Sequence, residues 1–292
     1  MPSIGSLPVP SPFCGPISTF PKHCGLPSRR PRAIFAAMRK LMQSLARRLL
    51  PAAHLEITLP TGIHVPIGSR DQISRFEEIF LGKSYDSLLS QFPLPETVCD
   101  LGCNAGYFPL AIEDRKRRKG QSAPTRYVCI DANPACVEIA RRSLERNLPA
   151  GRWWAAQGCV GDPGQEMRFH LSKADAHSSL FNKYSFLRTV RMKALDLQAL
   201  FQEHFPSGID LLKVDIEGAE RYLVTSWGPT LSQFCRRIMV EHHPFCGLTA
   251  REFSDRLKEL GFVPDSFRPE ETGEQVGLFL HQPKVLVPAQ KP

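Results

Sequence analysis

Carboxylates and glycines cluster at a few points of this 292-residue chain, and their spacing limits the chemistry they can do. In residues 97–108, TVCDLGCNAGYF, Asp100 precedes a turn bracketed by Gly102 and Gly106, with Asn104 between them. Glycines in such a turn leave the backbone open to a ligand, because no Cβ stands in the way. Asp131 follows 31 residues after Asp100. A second group lies in residues 211–224, LLKVDIEGAERYLV, where Lys213 is followed by Asp215, Glu217, Gly218 and Glu220. A third is the run Glu241-His242-His243. Carboxylates beside a histidine suit two chemistries: taking the proton of a weak nucleophile such as a hydroxyl, or ligating a hard divalent cation.

These groups act together only if the chain brings their segments side by side. TVCDL and RYVCID are apolar runs ending in Asp100 or just after it and in Asp131, and they predict buried strands. A helix is expected from Gly106 to Lys119, stopped by RKRRKG. Another is expected in NPACVEIARRSLERNL, with Pro134 in its first turn. WWAAQGCVG reads as a third strand, EMRFHLS as an added hairpin arm, IDLLKVD as a fourth strand and CRRIMVEHH as a fifth. A helix over residues 249–260 leads to GFVPDSF and QVGLFLH, two closing strands that pair as a hairpin. Such alternation predicts an α/β chain: a doubly wound, mainly parallel sheet with helices on both faces.

In that architecture ligands bind beyond the carboxyl ends of the strands, where the turn after Asp100 lies. The spacing Gly102-Cys-Asn-Ala-Gly106 is not the dinucleotide fingerprint, and an acid before it is poor company for a pyrophosphate. Asp100 suits a cation or an amino group, and Asp131 suits paired ribose hydroxyls. S-adenosylmethionine is a cationic nucleoside that satisfies both. The neighbouring residues have plainer readings. Phe108 is core, Tyr107 fits core or ligand, Cys99 and Cys103 are small buried residues, and the GDPG containing Gly161 and Asp162 is a turn.

DLGCNAGYF, CIDANP and LLKVDIEGAE, in this order, resemble the FkbM-type family of S-adenosylmethionine-dependent methyltransferases over roughly residues 96–265. The resemblance implies a Rossmann-like seven-stranded methyltransferase fold and O-methylation of hydroxyls on sugars, glycans or secondary metabolites. It implies that Asp100, Gly102, Asn104 and Gly106 line the methionine end of the cofactor and that Asp131 holds the ribose. Cys103 stands where the family often has a smaller residue.

Two readings of the remaining acids stay open. His243 acts as general base, its tautomer set by a carboxylate; or Asp215, Glu241 and His243 ligate a divalent ion such as magnesium. Strand alternation puts Glu241 and His243 on one side and His242 on the other. Asp215 and Glu217 join the catalytic group, whereas Glu220 reads as an acid complementing the next helix and Lys213 as a structural ion-pair partner. Residues 69–89 predict one or two helices covering the cofactor, and the polar stretch 172–188 reads as a lid. The DIEG after the fourth strand differs from the Asn/Asp-Pro-Pro-aromatic run used for nucleobase amino groups, which favours oxygen as the acceptor; a nucleic-acid or protein methyltransferase and a non-catalytic methyltransferase-like binding protein stay open as alternatives. A non-catalytic relic would more readily have lost Asp100, Gly106 or Asp131.

The net charge of +8 resides in the first 55 residues, which hold eight Lys or Arg and no acid; the rest is balanced, so no nucleic-acid groove is expected in the body. Residues 1–33 carry eight prolines and read as a disordered basic arm, with Met38 as an alternative start. Residues 34–95 are expected to supply N-terminal helices and lid elements, 96–283 the methyltransferase domain and 284–292 a tail. The helical pattern over 34–50 packs on the body or serves as a membrane-surface or organelle-targeting segment. No 18-residue apolar window predicts a membrane span. Nine cysteines without Cys-x-x-Cys pairs point to reduced thiols and a cytoplasmic setting. Oligomeric state is not legible.

Overall fold

The computed structural model describes residues 55–82, 85–172 and 186–282. The arm over 1–33, the helical pattern over 34–50, the tail over 284–292 and most of the lid over 172–188 therefore lie outside the described residues.

The apolar runs become a seven-stranded sheet. Its centre is β3 (Thr97–Leu101), flanked by β4 (Arg126–Asp131) and then β5 (Trp153–Gln157) on one side. On the other side lie β8 (Leu211–Val214), β9 (Arg237–His242), β11 (Gln275–His281) and β10 (Phe262–Pro264). All neighbours from β5 to β9 pair in parallel; β11 runs antiparallel to both β9 and β10. This is the expected doubly wound sheet with its closing hairpin.

β3 and β8 are buried along nearly all their length, as continuous apolar runs in a parallel sheet require. One face packs Leu101, Val128, Leu212 and Val240 against α5 (Leu197–His204), α6 (Glu220–Thr225), α7 (Gly228–Phe234) and α8 (Ala250–Glu259), through Phe201, Leu223, Leu231 and Phe253. The other face packs Val98, Tyr127 and Met239 against α1 (Arg70–Phe76, prolonged by a π-helical turn over Glu77–Leu81), α3 (Tyr107–Arg118) and α4 (Pro134–Asn147). The short α2 (Asp86–Ser90) adds Leu88 and Leu89 to that layer. Helix starts follow local chemistry: Asn133 accepts from Ala135 N–H at 3.0 Å ahead of Pro134, and Thr249 forms a capping box with Glu252.

Several elements carry weaker signals in the sequence. Residues 55–67 form a hairpin of β1 (Leu55–Thr58) and β2 (His64–Ile67), where helices were expected over 34–95. Alternation in LEIT and the Pro-Thr-Gly turn were its signal. The expected hairpin arm β6 (Glu166–Ser172) pairs with β7 (Phe186–Lys193), so the C-terminal end of the presumed lid is strand. Helix α5 was also unread, although Asp196 caps it by accepting from Ala199 N–H. Among the described residues no helix is long and apolar enough to cross a membrane.

The turns at the carboxyl ends of β3 and β8 touch. Gly102 has φ +79°, and a Cβ there would fall 1.6 Å from the carbonyl oxygen of Asp215. Gly106, at φ +74°, instead lets α3 approach Ala140 of α4. Gly102→Ala is therefore expected to lose at least about 4 kcal/mol of stability in urea unfolding, the range of severe steric lesions; a loss under about 1 kcal/mol would mean the two turns do not meet.

Candidate active site

The ends of β3, β4 and β8 open into a cavity of about 900 Å³, counted out to its mouth. Leu101, Ile130, Ala132 and Val160 give it an apolar floor, and Arg75, Ile79 and Tyr85 line it from the helical layer. Phe169 of β6 enters from the hairpin.

On the β4 side the turn is built around Asp131. Its Oδ2 accepts from Asn104 N–H and its Oδ1 from Asn133 N–H, both at 2.8 Å. Burial pushes this carboxyl up to about 6 against those two hydrogen bonds, so it stays largely ionised at neutral pH. Each oxygen keeps a lone pair for a further donor. Asn104 sits at φ +46°, in the left-handed region that asparagine tolerates better than most side chains.

On the β8 side the centre is Lys213. Parallel register sets it opposite Asp100 on β3. Its Nζ donates to Gly102 O at 2.9 Å and lies 3.3 Å from Asp100 and 3.6 Å from Asp215. Burial wins at Asp100, which is fully enclosed; its pKa rises, and neither oxygen makes a well-formed hydrogen bond. Burial also opposes the Lys213 charge, but Asp100 and Asp215 outweigh it and raise the pKa. At Asp215, Lys213, Arg75 and His243 together overcome burial and hold the carboxyl below its usual range.

Beyond Asp215 stands the acid–histidine group. Glu217, at φ +51°, lines the cavity 3.8 Å from His243 Nε2. Burial pushes Glu217 up to about 7. Glu241, at the end of β9, is pushed up to about 7 by burial and by Asp215. His243 is 3% exposed. Its Nδ1 meets Glu220 Oε1 at 2.9 Å, and the same oxygen accepts from Gly218 N–H. Burial disfavours the imidazolium, yet Glu220, Glu217 and Asp215 prevail and push it up to about 9. Arg75 reaches toward this group from α1, ion-paired with Glu78 at 2.9 Å.

The expected residues thus divide by position. Gly102, Asn104, Asp131, Asp215 and Glu217 stand in the cavity wall. Glu241 and His243 lie beside Asp215, with ligand atoms of all three within 4.8 Å of one another. Asp100 lies beneath the turn instead of lining the cavity, and Gly106 serves helix packing. His242 turns to the opposite face, against Phe253 and Phe267, as alternation requires. Gly161 and Asp162 belong to the turn; Gly161 O accepts from Trp227, and Gly158 to Val160 line the cavity in their place. Tyr107 and Phe108 are buried and both border the cavity. Glu220 is the correction: it does more than complement a helix, because it holds His243. Lys213 is the structural ion-pair partner expected of it, and Arg75 carried no motif to mark it.

Breaking a buried ion pair from one side strands the other charge. Lys213→Met should lose about 3–5 kcal/mol in urea unfolding, and Asp100→Asn on that background should recover part of it. Equal stability of Lys213→Met and the wild type would remove Lys213 from the centre of the site.

A family model described as Methyltransferase FkbM domain matches residues 102–264. No curated protein matches the chain. Solved structures with similarity include Aeropyrum pernix fibrillarin with natively bound S-adenosyl-L-methionine, at 12% identity, covering 68% of this chain and 74% of that one, with a TM-score of 0.38. An O-methyltransferase from Bacillus cereus in complex with SAH aligns at 13% identity over 84% and 90% of the two chains, TM-score 0.38. An uncharacterised Listeria monocytogenes protein aligns at 9% over 69% and 68%, TM-score 0.42.

Proposed function

This chain belongs to the FkbM family of methyltransferases, and from that premise we propose that it is an S-adenosylmethionine-dependent O-methyltransferase acting on a hydroxyl of a sugar, glycan or secondary metabolite. The observation that carries the reading is one cavity with the ribose-type acid Asp131 on one wall and the acids Asp215 and Glu217 on another.

The wall suits the cofactor on its own features. Asp131 is pre-set by two backbone N–H groups and retains acceptor capacity for a diol. The apolar floor of Ile130, Ala132 and Val160 suits a purine face, and the start of α3 directs backbone N–H groups toward the turn. Bound there, S-adenosylmethionine supplies an electrophilic methyl on sulfur and leaves as the neutral thioether.

The residues' part is positional first. Methyl transfer is an in-line displacement, so most of the acceleration comes from holding the acceptor oxygen on the line. Asp215 and Glu217 stand where a hydroxyl would be oriented, and Glu217 takes its proton as the C–O bond forms. In this reading residues 96–283 are the catalytic domain, residues 34–95 contribute its cover, and the setting is cytoplasmic. The seven described cysteines, all free and buried, agree with a reducing compartment.

Calorimetric titration tests the binding half. The wild type should bind S-adenosylmethionine and not NADH, and Asp131→Ala should weaken binding by about tenfold to a hundredfold, the worth of one to two good hydrogen bonds to a charged group. NADH binding, or an unchanged Asp131→Ala, would overturn the cofactor assignment. Glu217→Gln should leave that affinity in place and lower transfer of labelled methyl to polyols or sugars by about 10²–10⁴-fold. Unaltered turnover would take the proton away from Glu217.

A further inference from the structure

We propose that Asp215, Glu241 and His243 form a binding site for one hard divalent cation of the Mg²⁺ or Mn²⁺ kind, set against the acceptor side of the cavity. The proposal deepens the methyltransferase reading above and rests on it for the cation's use.

Four observations converge. The first is geometric: the ligand atoms lie within 4.8 Å of one another. Metal–oxygen and metal–nitrogen bonds of about 2.1 Å set ligand atoms roughly 3–4.2 Å apart, so side-chain rotation alone closes the site. The donors come from two neighbouring strand ends, which makes their convergence a property of the sheet.

The second is an orphaned oxygen. Glu241 Oε2 is shut off from solvent and accepts no hydrogen bond. A buried carboxylate oxygen is costly to leave unmet, and a cation beside it removes that cost.

The third is charge. Asp100, Asp215, Glu217, Glu220 and Glu241 gather within this part of the fold, and the fixed cations among them are Lys213 and Arg75. Lys213 is shared among Asp100, Asp215 and Gly102 O, and Arg75 between its ion-pair partner Glu78 and the nearby Asp215. Five carboxylates thus face two fixed cations and the His243 imidazole, an excess of acid that a divalent ion beside Asp215 and Glu241 would reduce.

The fourth is the orientation of the histidine. Nδ1–H donates to Glu220, so Nε2 is the nitrogen left for a metal; carboxylates behind ligating histidines commonly set the ring in this way. Ligation replaces any proton on Nε2, which leaves to solvent. Two carboxylates and one imidazole, with no thiolate, are a donor set that a hard ion such as Mg²⁺ or Mn²⁺ accepts. Asp215 lines the cavity, so an open coordination position would face an acceptor hydroxyl and lower its pKa.

The test is titration of the chelator-treated full chain with MnCl₂, read by loss of the free-ion paramagnetic resonance signal, with S-adenosylmethionine affinity measured in parallel. One Mn²⁺ per chain should bind and be displaced by Mg²⁺. Asp215→Asn and Glu241→Gln should each weaken it by at least about thirtyfold, and Glu220→Gln by about 10–100-fold through the ring. Near-UV dichroism identifies variants that still fold, and Glu241→Gln, whose carboxylate holds no hydrogen bond, is the one expected to. Cofactor binding without saturable Mn²⁺, or Mn²⁺ affinity unchanged in Glu241→Gln, overturns the cation site alone. Loss of both in the wild type overturns the cation site together with the methyltransferase reading.

Discussion

The ammonium group of Lys213 stands beneath two adjoining turns and meets three groups at once. It takes up the carbonyl of Gly102, the carboxylate of Asp100 and that of Asp215. Remove it, and the turn after β3 and the turn after β8 lose their common anchor, while an enclosed Asp100 is left with no counter-charge. The anchor also dictates the glycine. With the β8 turn drawn this close, only a residue without Cβ fits at position 102. The open backbone that a ligand meets is thus first a requirement of packing and only then an opportunity for binding.

From that anchor the two walls acquire different chemistry. On the β4 side, backbone N–H groups of Asn104 and Asn133 hold a single carboxylate in a fixed orientation. On the β8 and β9 side, acids accumulate beyond what the nearby cations neutralise. Burial raises Glu217 and Glu241, whereas Asp215, nearest Lys213, is held low. Similar side chains are set apart by position, which is how one crevice offers both a fixed charge and groups that exchange protons. The two non-glycine residues with positive φ among those described, Asn104 and Glu217, stand one on each wall.

Much of this was legible in the chain because strands of a parallel sheet bury both faces. Apolar runs such as TVCDL and RYVCID then stand out from the helices between them, and their last residues mark the crevice. Asp131, Asp215 and Glu241 were found by that logic. Strand alternation likewise separated His243 from His242. Elements with weaker signatures escaped: strand β1 is half exposed, and β7 begins inside a polar stretch that looks like loop.

What sequence alone determined was the list of strand ends, since hydrophobic periodicity and turn residues are local properties. Which groups meet across those ends was decided by tertiary structure. Glu220 sits one turn into a helix and looks like an acid placed for its N-terminus, yet its partner is a histidine 23 residues further on, after another strand. Asp100 looks like a ligand-facing acid, yet register with Lys213 draws it under the turn. Arg75 belongs to no motif and reaches the acids only because α1 packs over the sheet. Pairing, burial and net charge of a site are sums over distant segments, and no window of sequence contains them.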